Sequence, residues 1–301
     1  MVNVSGVLPS VVETARSWLF VPGDRPERFE KAAASGAEAV ICDLEDAVAA
    51  ESKSAARANV VDWLSRGGRA CVRINAVDTP YFNDDCAALM QLPGLVGVVV
   101  PKAMEPASLA ALGAALGPDD IIVALIESAL ALHRAYEIAA TRGVARLAFG
   151  SVDFALDTGA TENDLSLLYA RSALVVASRA ASLPGPIDGV TTALDDVELV
   201  RADAMKARHL GFGGKLCVHP RQVGAVHEAF MATDDELRWA RHIVGSATDD
   251  GASRADGLMI DKPVVDRARR ILDQAGSRLT ALSGNESSPR LAQPPDSANG
   301  S

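Results

Sequence analysis

The chain has 301 residues, 49% of them hydrophobic and 23% charged, with a formal net charge of −10 and a pI near 5.0. That is enough apolar chain for one large core or two modest ones. The acidic balance leaves no basic field for a phosphate backbone and argues against a nucleic-acid binder, although a local arginine can still hold a small anion.

In chain order, an apolar run, an acidic or glycine-containing turn and a helix-like segment recur. "SWLFV" leads into "PGDRPERFEKAAAS", "AVICD" into "AAESKSAARANVVDWLS", and "RACVRIN" into "TPYFNDDCAALMQL". "VGVVVPK" precedes "EPASLAALGAAL", and "IIVALIES" runs into "ALALHRAYEIAAT". "VARLAFG" is followed by a long helical stretch over 162–182, "PIDGV" by "DDVELVRADAMKARHLG", and "GKLCVHP" by "RQVGAVHEAFM". The strands are nearly continuous apolar runs, as in a parallel sheet covered on both faces. Eight such units fit a closed (β/α)8 TIM barrel better than an open sheet, and no GxGxxG follows the first strand. The expected organisation is a barrel over 1–232, a C-terminal helical lid extension over 233–276, and a disordered Ser/Pro/Asn/Gly-rich tail over 277–301.

Cys42, Cys71, Cys86 and Cys217 are scattered with no CxxC pair, so they read as reduced, mostly buried thiols of a cytoplasmic protein. No secretory leader or membrane-length apolar run is expected.

The C-terminal ends of barrel strands are where chemistry gathers. They carry Asp43, Glu45 and Asp46 after the second strand, Arg73 and Asn75 at the third, and Lys102 after the fourth. Glu127 ends the fifth, Asp153 lies beyond the sixth, Asp188 near the seventh and His219 after the eighth. Glu127 and Asp153 can supply two oxygens to an octahedral magnesium site, or they are salt-bridged rim acids. Arg73, flanked by apolar residues, needs an anion, which is a substrate oxygen or a structural partner such as Asp43 or Glu45. Arg16, Arg25 and Arg28 form a basic cluster that either holds a phosphorylated cofactor or is solvated surface charge. His133, His209, His227 and His242 fall in helical stretches, and His219 is a ligand or a helix cap. No GxSxG elbow supports a serine hydrolase.

Together "RSWLFVPGDRPERFEKA", "ICDLEDAV", "RINAVDTPYFNDD", "VVVPKA", "ALIES", "LAFGSVDFALDTG", "GPIDGV", "GFGGKLCVHPRQV" and "ADGLMIDKPVVDRARRIL" resemble the CitE-like branch of the HpcH/HpaI aldolase superfamily, over residues 16–272. The resemblance implies a magnesium-dependent lyase that cleaves a 3-hydroxyacyl-CoA, of malyl-CoA or citramalyl-CoA type, into an acyl-CoA and a 2-oxo acid. A malyl-CoA-type thioesterase, a citrate lyase beta subunit and a non-catalytic binding protein on the same barrel are the alternatives. It implies Glu127 and Asp153 as magnesium ligands, Arg73 as the substrate-binding arginine, and Asp43, Glu45 and Asp46 beside the metal and its waters. Arg16, Arg25, Lys102, Lys215 and His219 are then candidates for binding substrate or coenzyme A. Asp261 in "LMIDKP" matches a proton-transferring acid presented by a neighbouring subunit's lid, in a family of trimers and hexamers. Ser128 stands where the family often has threonine.

Overall fold

The structure, a computed structural model, describes residues 10–117, 119, 121–246, 253–255 and 258–283. By its contacts the chain divides into two units, Met1–Phe230 and Met231–Ser301.

The first unit is a closed barrel of eight parallel strands in sequence order. They are β1 (Ser17–Pro22), β2 (Ala39–Asp43), β3 (Ala70–Arg73), β4 (Leu95–Val100), β5 (Ile122–Ile126), β6 (Val144–Phe149), β7 (Ile187–Asp188) and β8 (Gly214–Cys217). Pairing of β1 with both β2 and β8 closes the ring. The surrounding helices bury one face each. In Lys53–Ser65 the buried Ala56, Val60 and Leu64 recur every four residues, the spacing of one helical stripe. Helix Asp164–Ala180 does the same with Leu167, Ala170, Leu174 and Ala177, and its Asn163 cap accepts from Ser166 N.

Strand alternation sorts the side chains into two cores. Trp18, Ile41, Cys71, Val99, Val123, Leu125, Ile187 and Leu216 pack inside the barrel. Leu19, Val21, Val40, Cys42, Val72, Val100, Ala124 and Cys217 pack between barrel and helices. Carried to the strand ends, the same period points Asp43, Arg73 and Glu127 inward. Asp188 and Lys215, adjacent to the inward Ile187 and Leu216, point outward.

The ladder does not stop where the strands do. Gly23 N donates to Asp43 O, Leu44 N to Arg73 O, Ile74 N to Val99 O, Ala103 N to Leu125 O and Gly150 N to Ile126 O. The charged strand-end residues Asp43, Arg73 and Glu127 therefore sit on or beside hydrogen-bonded backbone rather than on free loops. At the opposite end, the short helix Val11–Thr14, closed by a Ser10/Glu13 capping box, brings Val12 and Ala15 under Trp18. Arg146, fully enclosed, donates from Nε to Gly185 O (2.8 Å) and from Nη1 to Ala15 O (2.7 Å) and Val12 O (3.3 Å), tying the plug to the barrel.

The second unit contains helix Asp234–Ser246, an antiparallel pair Ser253–Ala255 and Leu258–Ile260, and helix Lys262–Ser283. Ala240, Ile243 and Ala268 form its small core with Trp239, Val264 and Val265 around them. The last helix continues through Ser283, into the tail expected to be disordered from 277. The segment "SRLTALS" contains neither Gly nor Pro to stop it, and 284–301 lie outside the described residues. Among the described residues no helix is long and apolar enough to cross a membrane.

Removing the Arg146 fork strands buried carbonyls. Arg146→Met is expected to cost about 3 kcal/mol and to lower the Tm by roughly 10 °C; an unchanged melting curve contradicts this account of the plug.

Candidate active site

Asp43 and Arg73 are registered partners on β2 and β3 and meet at the inner mouth of the barrel. Arg73 Nε donates to Asp43 Oδ1 at 2.7 Å and Nη2 to Oδ2 at 2.6 Å, a bidentate fork. Its Nη1 lies 3.1 Å from Glu45 and 3.8 Å from Asp46, and the guanidinium sits 4.8 Å from the centre of the Phe20 ring. Burial opposes this charge, but the bonded Asp43 and the neighbouring carboxylates outweigh it and hold Arg73 above its ordinary pKa. Asp43 also accepts from Glu45 N and Ala47 N, turning the chain so that Glu45 folds back over the arginine. From outside, Lys53 donates to the carbonyls of Leu44 (2.8 Å) and Glu45 (2.7 Å) and fixes the same turn. Three acids at one strand end are thus tolerated because one arginine stands among them.

Glu127 follows β5 and is almost fully buried. Its Oε1 accepts from Lys102 N at 2.6 Å. Lys102 reaches that position with φ +49°, a left-handed conformation that lysine rarely adopts. Its ammonium approaches Glu45 at 3.3 Å. Gly150 leaves the space the carboxylate occupies: a Cβ there would lie 2.6 Å from Glu127 Cβ and 2.7 Å from Oε2. Asp153 stands in the first turn of helix Ser151–Thr158. Burial, then the charges of Glu45 and Asp153, push Glu127 up to about 8. Burial likewise raises Glu45, with Asp46 and Asp43 adding to it against Arg73 and Lys102. These groups open onto a cavity of ≈ 220 Å³ with Asp43, Arg73, Glu127 and Asp153 on its polar side and Phe20, Val190, Leu216 and Val218 on its apolar side.

The donor set fits a magnesium ion. Glu127 and Asp153 face one cavity, and Glu127 holds its proton too tightly for a carboxylate with a cation beside it. Both oxygens of Glu45 are buried without completing a hydrogen bond, so they retain acceptor capacity for ligand waters. Among the described residues no three His, Cys, Asp or Glu side chains form a full metal cage. Magnesium does not need one, because it keeps several waters and substrate oxygens beside one or two carboxylates.

The HpcH/HpaI aldolase/citrate lyase family model matches residues 16–220. The chain belongs to that family. Within the HpcH/HpaI family it is 38% identical over 275 residues to a citrate lyase subunit beta-like protein of Deinococcus radiodurans, covering 85% of this chain and 96% of that one. An L-malyl-CoA/beta-methylmalyl-CoA lyase of Cereibacter sphaeroides is 31% identical over 300 residues, covering 86% and 94%. The solved structure of CitE from Mycobacterium tuberculosis with magnesium, acetoacetate and coenzyme A superposes with a TM-score of 0.77 at 33% identity, covering 88% of this chain and 99% of that one. As a CitE-like member of the family, the chain is an enzyme.

Not every residue singled out from the sequence reaches the cavity. Arg16 precedes β1 and is therefore on the opposite rim, where its backbone N and guanidinium both bond Glu38. It braces the barrel floor and does not border the cavity. Lys215 is a second correction: pointing outward, it is enclosed in the wall and donates to Gly189 O at 2.7 Å, with Asp188 at 3.6 Å. Asp188 in turn accepts from Arg171. Arg25 is on the correct rim but solvated, its nearest acid Asp24 at 3.9 Å. His219 Nδ1 accepts from Arg221 N within its own turn, which is the helix-cap alternative. Asp261 belongs to the second unit, where Oδ1 accepts from Val264 N and caps the last helix. Cys42, Cys71 and Cys217 are buried and Cys86 half-buried, all free; burial pushes Cys71 and Cys217 up to about 12, far from a nucleophile. A larger surface cavity of ≈ 370 Å³ lies between helices Asp164–Ala180 and Val197–Leu210, but its lysine and arginine already pair with its acids. Gly150, Phe20 and Lys53 were missed by the sequence reading. The glycine directly after an apolar strand and before an acid was the one available signal.

The position of Glu127 sets a pH dependence. A cation bound at Glu127 would have to displace a proton below about pH 8, so magnesium affinity at that carboxylate is expected to rise about tenfold per pH unit up to that point and then level. Calorimetric titration from pH 6 to 9 checks this, and a flat profile contradicts it. The carboxyl's raised pKa also costs stability, increasingly from pH 4.5 and fully above about 8. Glu127→Gln should therefore abolish magnesium binding while raising the Tm of the metal-free protein, most at the alkaline end.

Proposed function

We propose that the protein is a magnesium-dependent carbon–carbon lyase that opens a 3-hydroxyacyl thioester into an acyl thioester and a 2-oxo acid. The observation that carries this reading is an immobilised arginine lining one cavity with the buried Glu127 carboxylate and the half-buried Asp153. A substrate with a hydroxyl and a carboxylate on the same carbon offers the chelating oxygens such a pair needs. Of the candidate acyl groups, the sequence motifs put malyl and citramalyl first. A citrate lyase subunit beta and the malyl-CoA lyase are both 31% identical to the chain. The citryl-type reading is favoured instead by the citrate lyase beta subunit complexed with oxaloacetate and magnesium, 34% identical with a TM-score of 0.64, since citryl cleavage releases that oxo acid.

Magnesium held by Glu127 and Asp153 would supply Lewis-acid polarisation of the substrate oxygen that becomes the oxo group. Arg73, already oriented by Asp43, donates to the oxygen that gathers charge as the bond breaks and needs no reorganisation to do so. Phe20, Val190, Leu216 and Val218 exclude water from the enolate of the departing acyl thioester, which takes a proton at carbon. The hydroxyl proton must leave the other fragment. Asp261 is our candidate for moving one of these protons, reaching the site from a second copy of the chain. Self-association is supported by helices that expose large apolar residues, among them Leu156 (81%), Leu165 (83%) and Tyr169 (78%).

Incubation with magnesium and citryl-, malyl- or citramalyl-CoA, with the oxo acid trapped and free thiol assayed in parallel, tests the reaction. Oxo acid without free thiol is expected, fastest from the citryl substrate; free thiol with intact hydroxy acid makes the enzyme a thioesterase and overturns the proposal. Arg73→Lys keeps a charge but loses the fork, and should lower kcat/KM by about 10²–10³. Mixing inactive Arg73→Lys and Asp261→Asn proteins should restore part of the activity if Asp261 acts across copies, and none if it does not.

A further inference from the structure

Gln222 opens helix Gln222–Ala229 beyond β8 and is 1% exposed. Its side-chain amide is fully used. Oε1 accepts from Val218 N at 2.8 Å and from His219 N at 3.3 Å. Nε2 donates to Thr191 O at 2.9 Å and Ala193 O at 3.2 Å. Two donors on one side and two carbonyls on the other fix which end is oxygen, because a flipped amide would face like against like four times. The two pairs of partners belong to different rim loops, one following β7 and the other following β8. Only Ile187 and Asp188 make up β7, so the ladder gives this seam little hold. Thr191 is held from its other side as well, with Oγ1 donating to Asp203 Oδ2 at 2.7 Å on helix Val197–Leu210.

These loops carry Val190 and Val218, two residues of the cavity's apolar wall. We infer that Gln222 is a positioning residue that clamps the β7 and β8 rim loops together and thereby sets the wall against which the thioester binds. The clamp follows from the geometry alone; its effect on the ligand rests on the thioester reading above. Gln222 touches none of the acids around Arg73 or Glu127, so its loss acts on binding and leaves the metal site as it is.

Two full-length variants test this. Gln222→Glu keeps the size and both acceptor bonds but turns oxygen toward the carbonyls of Thr191 and Ala193. Gln222→Met keeps the length and makes none of the four bonds. Coenzyme A affinity, by calorimetry, is expected to fall on the order of tenfold, ~1.4 kcal/mol, in both variants, with magnesium affinity unchanged and KM for the thioester raised. Amide exchange at Val218 and His219 should accelerate in the Met variant and stay slow in the Glu variant. Wild-type affinity for coenzyme A in both variants, or exchange that rises evenly over the whole barrel, overturns the inference. Should the Met variant not fold, the Glu variant decides by its coenzyme A affinity. Wild-type protein that fails to bind coenzyme A would count against the thioester reading, and the exchange pattern would then decide the clamp by itself.

Discussion

The fork from Arg73 to Asp43 is the constraint on which the site depends. Buried ions of one sign cannot be gathered without an opposite charge that is itself unable to leave. Arg73 meets that condition because both carboxylate oxygens of its strand neighbour hold it and an aromatic ring lies against it. Glu45 and Asp46 then gather around a fixed positive centre, and Lys53 pins the turn that carries them. An arginine at the same height on a flexible loop would follow its nearest acid and leave the cavity without an organised donor.

Glu127 is the counterweight. Arg73 is satisfied within the fold, whereas Glu127 is placed in a buried position that no cation among the described residues neutralises well, with the Lys102 amide in hydrogen-bond contact. The strained backbone of Lys102 and the missing side chain of Gly150 both serve to keep it there. Such arrangements are held at the expense of the resting fold and are recovered when a ligand arrives.

Much of this was legible in the sequence. Continuous apolar strands separated by helical segments gave the barrel and its strand order, and charges at strand ends marked the working rim. Parity and height along each strand are harder to see in the sequence. Lys215 and Asp188 are charged residues at barrel strands just as Arg73 is, but each stands next to an inward apolar residue, Leu216 or Ile187, and so faces the helices. Arg16 belongs to a strand's beginning rather than its end. Both distinctions can be made by counting residues along a strand. The role of Gly150 was harder to see, because a glycine declares itself only through the neighbour that fills its space, and that neighbour lies on β5. Likewise the His219 ring turned to its own loop, a local preference that competes with ligand binding in any strand-end histidine.

The hydrogen-bond ladder that runs past the strand ends separates two kinds of change. Asp43, Arg73 and Glu127 are borne on or beside backbone already committed to neighbouring strands, so insertions and replacements farther out along each loop leave their mutual placement alone. The loops that line the apolar side, around Val190 and Val218, are held by side chains, through Gln222, Lys215 and Asp203. A duplicated copy of this gene is thus free to drift toward a new ligand by altering loops while inheriting the strand-end charged groups in place. The architecture makes the choice of substrate cheap to revise in evolution and the type of reaction hard to lose.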